Sequence, residues 1–142
     1  TPDGILMSVS LRMMRLVRQR AKGLCEYCRL PDEYSSISFE VDHILAEQHG
    51  GQTVLSNLAW TCFADNHYKG PNLAGIDPQT GHKTWLFNPR RHKWTRHFGW
   101  QSAILIGLTP IGRTTIATLQ INAAHRVAQR AALIAEGVFP TS

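Results

Sequence analysis

Cysteine is scarce in this chain. There are three residues in 142, an odd count, which argues against a disulfide scaffold, since those take cysteines in pairs and in shorter secreted chains. No apolar run reaches the roughly 18 residues of a membrane-spanning helix. The start, Thr1-Pro-Asp-Gly4, lacks the basic-then-apolar pattern of a signal peptide. It also lacks an initiating Met, which leaves processing or truncation open. Internal repeats and low-complexity segments are missing too. The expected setting is a reducing cytoplasm, with no membrane partner.

Acidic residues are few, 10 against 15 Lys plus Arg, giving a net charge of +5 and a pI near 9.5. That balance favours a polyanionic partner, because Lys and Arg neutralise phosphates and release counterions. With 43% hydrophobic and 18% charged residues, the composition is that of a folded protein. The length suits a single domain, 1–142, with a modest core.

Residues 11–22 space Met13, Met14, Leu16, Val17 and Ala21 at helical intervals, and Gly23 supplies a stop. The helix carries Arg12, Arg15, Arg18, Arg20 and Lys22, a phosphate-tracking set or a solvated face. Pro31 and Ser35-Ser36 mark a loop before an extended run, 39–45. Gly50-Gly51 breaks the chain, Leu58–Thr61 reads as a second strand, and a short helix over 63–69 ends at Gly70-Pro71. The order is β, loop, β, helix. Further on, Ile76–Gly81 is a turn between two extended runs and 98–108 suggests a hairpin. Thr109-Pro110 opens a helix to about 121 as N-cap and first-turn proline, and a last helix covers roughly 123–136.

The most informative pair is Asp42-His43 in the first strand. Neighbours on a strand point to opposite faces, so one can hold a metal while the other faces a substrate. The pair is bracketed by Cys25-x-x-Cys28 and by Cys62-x-x-Asp65-Asn66-x-x-Lys69-Gly70, with Gly50-Gly51 and Asn57-Leu58 between. In this order the residues resemble the HNH endonucleases, the ββα-metal nucleases, over about residues 24–71. The later Gly70–Pro78 and Asn88-Pro-Arg-Arg91 segments resemble a bacterial subgroup with a C-terminal extension.

The resemblance implies an α+β fold: a ββα-metal core over about 24–71, an N-terminal helix, and a hairpin-plus-helices extension over about 72–142. By position it implies that Asp42 and a residue on the 63–69 helix bind a catalytic divalent ion. It makes His43 the general base, Asn57 the residue that hydrogen-bonds and orients His43, and Lys69 a phosphate contact. The helix ligand is Asn66, an H-N-N variant. The chemistry agrees, since phosphodiester hydrolysis needs a base near neutrality and a cation on the scissile phosphate. Oxygen ligands from Asp42 and Asn66 suit Mg²⁺ or Mn²⁺. His67 is the rival ligand, turned about 100° from Asn66 on a helix.

Relatives carry a structural zinc on two C-x-x-C pairs. Here Asp65 stands in the fourth position, so Cys25, Cys28, Cys62 and Asp65 either hold Zn²⁺ as a C₃D set or are small buried residues without a metal. The expected function is a metal-dependent endonuclease that nicks or cuts DNA. The rivals are a non-catalytic zinc-knuckle DNA-binding module and an RNA nuclease using Trp85, Phe87, Trp94 and Trp100 to stack bases. The basic stretch Asn88–His97, with Arg90 and Arg91, reads as too polar for the core and as an extension of the DNA-contact surface.

Overall fold

The computed structural model describes residues 9–141; the Thr1–Gly4 start lies outside them. The first helix, α1 (Leu11–Arg20), begins where the Ser10 side chain accepts a hydrogen bond from Met13 N at 3.1 Å, a cap for an otherwise unpaired amide. It ends at Arg20, two residues short of the expected stop, with Gly23 at φ +73° completing the turn. Val17 is fully buried on its inner face. Two of its cations are spent within the molecule: Arg18 pairs with Asp32 at 2.6 Å, and Arg20 donates to the carbonyls of Leu55 and Leu58.

The central unit is β1 (Glu40–His43), β2 (Leu58–Thr61) and α2 (Phe63–Lys69). The strands are antiparallel, Glu40 opposite Thr61 and His43 opposite Leu58. β1 is shorter than the expected 39–45 because the chain peels away after His43, where Asn57 takes over the pairing: Ile44 N donates to Asn57 O and Leu45 N to Asn57 Oδ1. The returning loop packs so tightly that a Cβ on Gly51 would sit 1.7 Å from Leu45 O. Only glycine fits there.

The free edge of β2 meets no strand among the described residues. Glu26 N donates to Trp60 O, and Trp60 N donates to Glu26 Oε2, both at 2.8 Å. Arg20 and Arg90 both donate to Leu58 O, at 2.6 and 3.2 Å. Side chains and one loop amide satisfy what a third strand would.

The extension holds two more two-stranded antiparallel sheets, β3 (Ala74–Ile76) with β4 (Lys83–Trp85), and β5 (Phe98–Gln101) with β6 (Ile104–Gly107). Three helices accompany them: α3 (Trp94–His97), α4 (Pro110–Thr118) and α5 (Ala124–Ala135). Thr109 caps α4 as expected, accepting from Gly112 N. That helix stops at Thr118, short of 121, and Leu119 and Ile121 beyond it are fully buried. Buried residues from Val17 to Phe139 form one hydrophobic cluster through the ββα unit and the extension. No helix among the described residues is long and apolar enough to cross a membrane.

The basic stretch corrects an expectation. Trp94, His97 and Phe98 are buried, and the Trp94 indole donates to Tyr27 O at 2.8 Å. Residues 94 and 97 share the inward face of a single helical turn, while Thr95 and Arg96 stay exposed. One face of the segment is therefore part of the core, while Arg91, Lys93 and Arg96 stay exposed.

Candidate active site and metal centre

Asp42 and His43 occupy the end of β1, and Asn66 stands on α2 beside them. All three border one open cleft of ≈ 330 Å³, together with Glu47 and Gly70. His43 Nε2 lies 2.9 Å from Thr53 Oγ1, a partner supplied by the loop that Gly51 closes. Asn66 Nδ2 donates to Glu40 Oε1 at 2.7 Å, which fixes the amide and leaves its Oδ1 as the oxygen able to ligate.

Asp42 is more enclosed than its neighbours, 5% exposed. Tyr27 Oη donates to its Oδ2 at 2.9 Å, and Lys69 Nζ lies 3.2 Å from Oδ1 and 3.1 Å from Oδ2. Burial lifts the Asp42 carboxyl above the ordinary carboxylate range, while the Lys69 charge and the Tyr27 hydroxyl pull it down. A buried carboxylate needs such partners.

Two expectations need correcting here. Lys69 is 2% exposed and divides its ammonium between Asp42 and the carbonyls of His43 and Ile44. It has no face left for a phosphate and ties α2 to the end of β1. Asn57 bonds the Leu45 amide, the Leu45 carbonyl and the Gln52 carbonyl, and among the described residues no hydrogen bond joins it to the His43 ring, whose Nε2 meets Thr53 instead.

On the other side of α2, Cys25, Cys28, Cys62 and Asp65 are all buried, with ligand atoms within 4.8 Å of one another. A tight turn presents the first two: Cys25 N donates to Leu30 O and Arg29 N to Cys25 O, with Arg29 at φ +67°. Cys62 caps α2, its sulfur accepting from Asp65 N. Cys28 Sγ and Cys62 Sγ are 3.8 Å apart, matching the edge of about 3.8 Å for a tetrahedron with Zn–S bonds near 2.3 Å. Cys25 Sγ lies 3.1 Å from Asp65 Oδ2. Hydrogen bonds with Cys25 and Cys62 draw the Cys28 thiol well below its usual range, while burial pushes the Cys25 thiol up, and Cys62 is pushed up, against its hydrogen bond with Cys25, by Cys28 and burial; a metal-binding thiol must be deprotonated. Burial, reinforced by Cys28, pushes the Asp65 carboxyl up to about 7 against the opposing pull of Arg126. The donor set suits zinc.

The remaining candidates separate. His67 lies outside the Asp42 cleft and stacks on Phe63 with ring centroids 5.9 Å apart. Arg90 pairs with Glu26 and reaches Leu58 O, so its charge serves the fold. Arg91 remains exposed on the rim of a second cavity of ≈ 450 Å³, which also meets Asn57, Lys69 and Trp85. Of the four candidate stacking aromatics, Trp85 is 66% exposed while Phe87 and Trp94 are buried. Sequence reasoning missed Tyr27, which bonds Asp42, Thr53, which bonds His43, and Arg126 at the cysteine cluster. Local pattern offers no signal for any of them, because each partner lies 10 or more positions away.

No curated protein and no solved structure matches this chain. A family model does match: HNH endonuclease, over residues 25–72. The span runs from the first cysteine through both strands and α2 to just beyond Gly70. Residues 25–72, about a third of this chain, are thus similar to the HNH endonucleases.

Proposed function

We propose that this protein hydrolyses phosphodiester bonds in DNA with the help of a divalent cation, His43 being the general base. The observation that carries the reading is that His43, Asp42 and Asn66 border one open cleft. In this reading Nε2–H of His43 donates to Thr53 Oγ1, leaving the Nδ1 lone pair to accept a proton. Water forms the new bond to phosphorus, its proton passes to Nδ1, and the bond to the leaving sugar oxygen breaks. Asp42 and Asn66 are the residues that would hold Mg²⁺ or Mn²⁺. A bound cation there supplies neutralisation of the phosphate and leaving oxygen. Cys25, Cys28, Cys62 and Asp65 would hold a separate structural zinc. Arg91 and the exposed Trp85 are the proposed DNA contacts on the extension.

The test is supercoiled plasmid incubated with wild type and His43→Ala in Mg²⁺, Mn²⁺, Ni²⁺, Zn²⁺ or EDTA. Nicked or linear product is expected in a divalent ion and absent in EDTA. The substitution should slow cleavage by about 10²–10⁴-fold while DNA binding persists. Cleavage by His43→Ala at the wild-type rate removes the base assignment. Binding with no cleavage in any ion makes the protein a DNA-binding module.

A further inference from the structure

The fourth position of the cysteine cluster has a partner that only the extension can supply. Asp65 is fully buried and uses both oxygens: Oδ2 faces Cys25 Sγ at 3.1 Å, and Oδ1 accepts from Arg126 Nη2 at 2.7 Å. Arg126 stands on α5 and is itself 5% exposed. Its Nη1 is held by the carbonyls of Leu119 and Gln120 at 2.9 and 3.2 Å, and Nη2 lies 3.8 Å from Cys62 Sγ. The guanidinium is therefore fixed from behind and aimed at the cluster.

The charges explain why a cation belongs there. Three thiolates and a carboxylate around a divalent ion leave an excess of negative charge in a dry site, where uncompensated charge is costly. A guanidinium on the far carboxylate oxygen removes part of that excess. It also restricts Asp65 to the oxygen that faces the sulfurs, as outer partners orient metal ligands generally.

We propose that Arg126 is the positioning residue of a Cys₃Asp zinc site. It fixes Asp65 as a single-oxygen ligand and so makes the metal the tie between the HNH domain and the C-terminal extension. This rests on the reading that the cluster holds zinc and is independent of whether the cleft cleaves DNA. Four cysteine ligands would carry the same net charge but offer no second oxygen to hold, so the orienting role of Arg126 arises only with Asp65 in the fourth position.

The experiment uses the full chain. Zinc content is measured by elemental analysis after dialysis, zinc affinity by competition with a chromophoric chelator, and amide exchange along α5 with and without zinc. Wild type should carry about one zinc per chain, and chelation should speed exchange in α5. Arg126→Met should weaken zinc binding by about 10–100-fold. The milder Arg126→Lys, which keeps the charge without the fork, should fall between, and it covers the case in which Arg126→Met fails to fold. Adding Asp65→Cys to Arg126→Met should restore zinc affinity, because a thiolate in the fourth position needs no orienting partner. A purely structural arginine would not produce that rescue. Unchanged zinc affinity in both Arg126 variants overturns the positioning role. Wild-type protein that takes up no zinc overturns the metal reading itself and leaves Arg126 as the counter-charge of a buried carboxylate.

Discussion

Asp65 and Asn66 are successive residues of α2, and they belong to regions built on opposite terms. Asp65 faces a dry knuckle in which every ligand is buried and the carboxylate is held from both sides. Asn66 faces an open cleft in which His43 is half-buried and one amide bond to Glu40 does the orienting. Removing a group from the first region strands a charge or a thiol away from water. Removing one from the second leaves the fold its contacts and takes away a reactive group. One short helix thus carries a residue of the buried knuckle and a residue of the proposed catalytic cleft about 100° apart.

Lys69 tests that division most severely, because it bonds Asp42 of the cleft yet is buried like a knuckle residue. Lys69→Met leaves Asp42 without its cation and should cost about 3–5 kcal/mol in urea unfolding at neutral pH. Asp42 already titrates above the ordinary range, and without Lys69 it rises further. A group with a raised folded pKa gives its stability below the unfolded value and loses it as pH climbs. The deficit of the variant should therefore be small near pH 4 and grow toward neutrality. A cost that does not change with pH would mean that lost packing, and not the carboxylate, is responsible.

Within the cleft the comparison sharpens to neighbouring residues. Asn66→Ala should raise the divalent-ion concentration needed for cleavage by about 10–100-fold and barely move the unfolding midpoint. His67→Ala, on a ring stacked against Phe63, should leave the ion requirement alone. The reverse pattern would move the ligand one position along α2.

The smallest effect separates two adjacent arginines. Arg91→Ala should lower the slope of log affinity against log salt by about 0.9, the value for one phosphate contact on duplex DNA, without changing stability. Arg90→Ala should leave the slope unchanged and reduce stability, because it breaks the pair with Glu26. Equal slopes in wild type and Arg91→Ala would move the DNA path off this rim.

The ββα unit was legible because its signals are local. Gly50-Gly51 and Gly70-Pro71 bracket the second strand and the short helix, and the cap at Thr109-Pro110 declares itself. The gathering of Asp42, His43 and Asn66 follows from their places on those elements. What stayed hidden depends on distant pairs. The carboxylate at 65 meets its guanidinium 61 positions later, and the ammonium of Lys69 turns inward because Asp42 is buried 27 positions earlier. Trp94 is concealed differently: one inward helical face inside a basic run vanishes when the run is judged by composition.

The bare edge of β2 reaches beyond this molecule. A two-stranded sheet ordinarily offers neighbouring chains a row of open amides and carbonyls, the template on which edge-to-edge aggregation starts. Here Glu26 occupies the Trp60 amide and carbonyl, and the guanidinium groups of Arg20 and Arg90 converge on the Leu58 carbonyl. A foreign strand would have to displace bonds already made and approach through positive charge. β2 keeps the residues that support the cleft on its paired side, and its other side is closed to strangers.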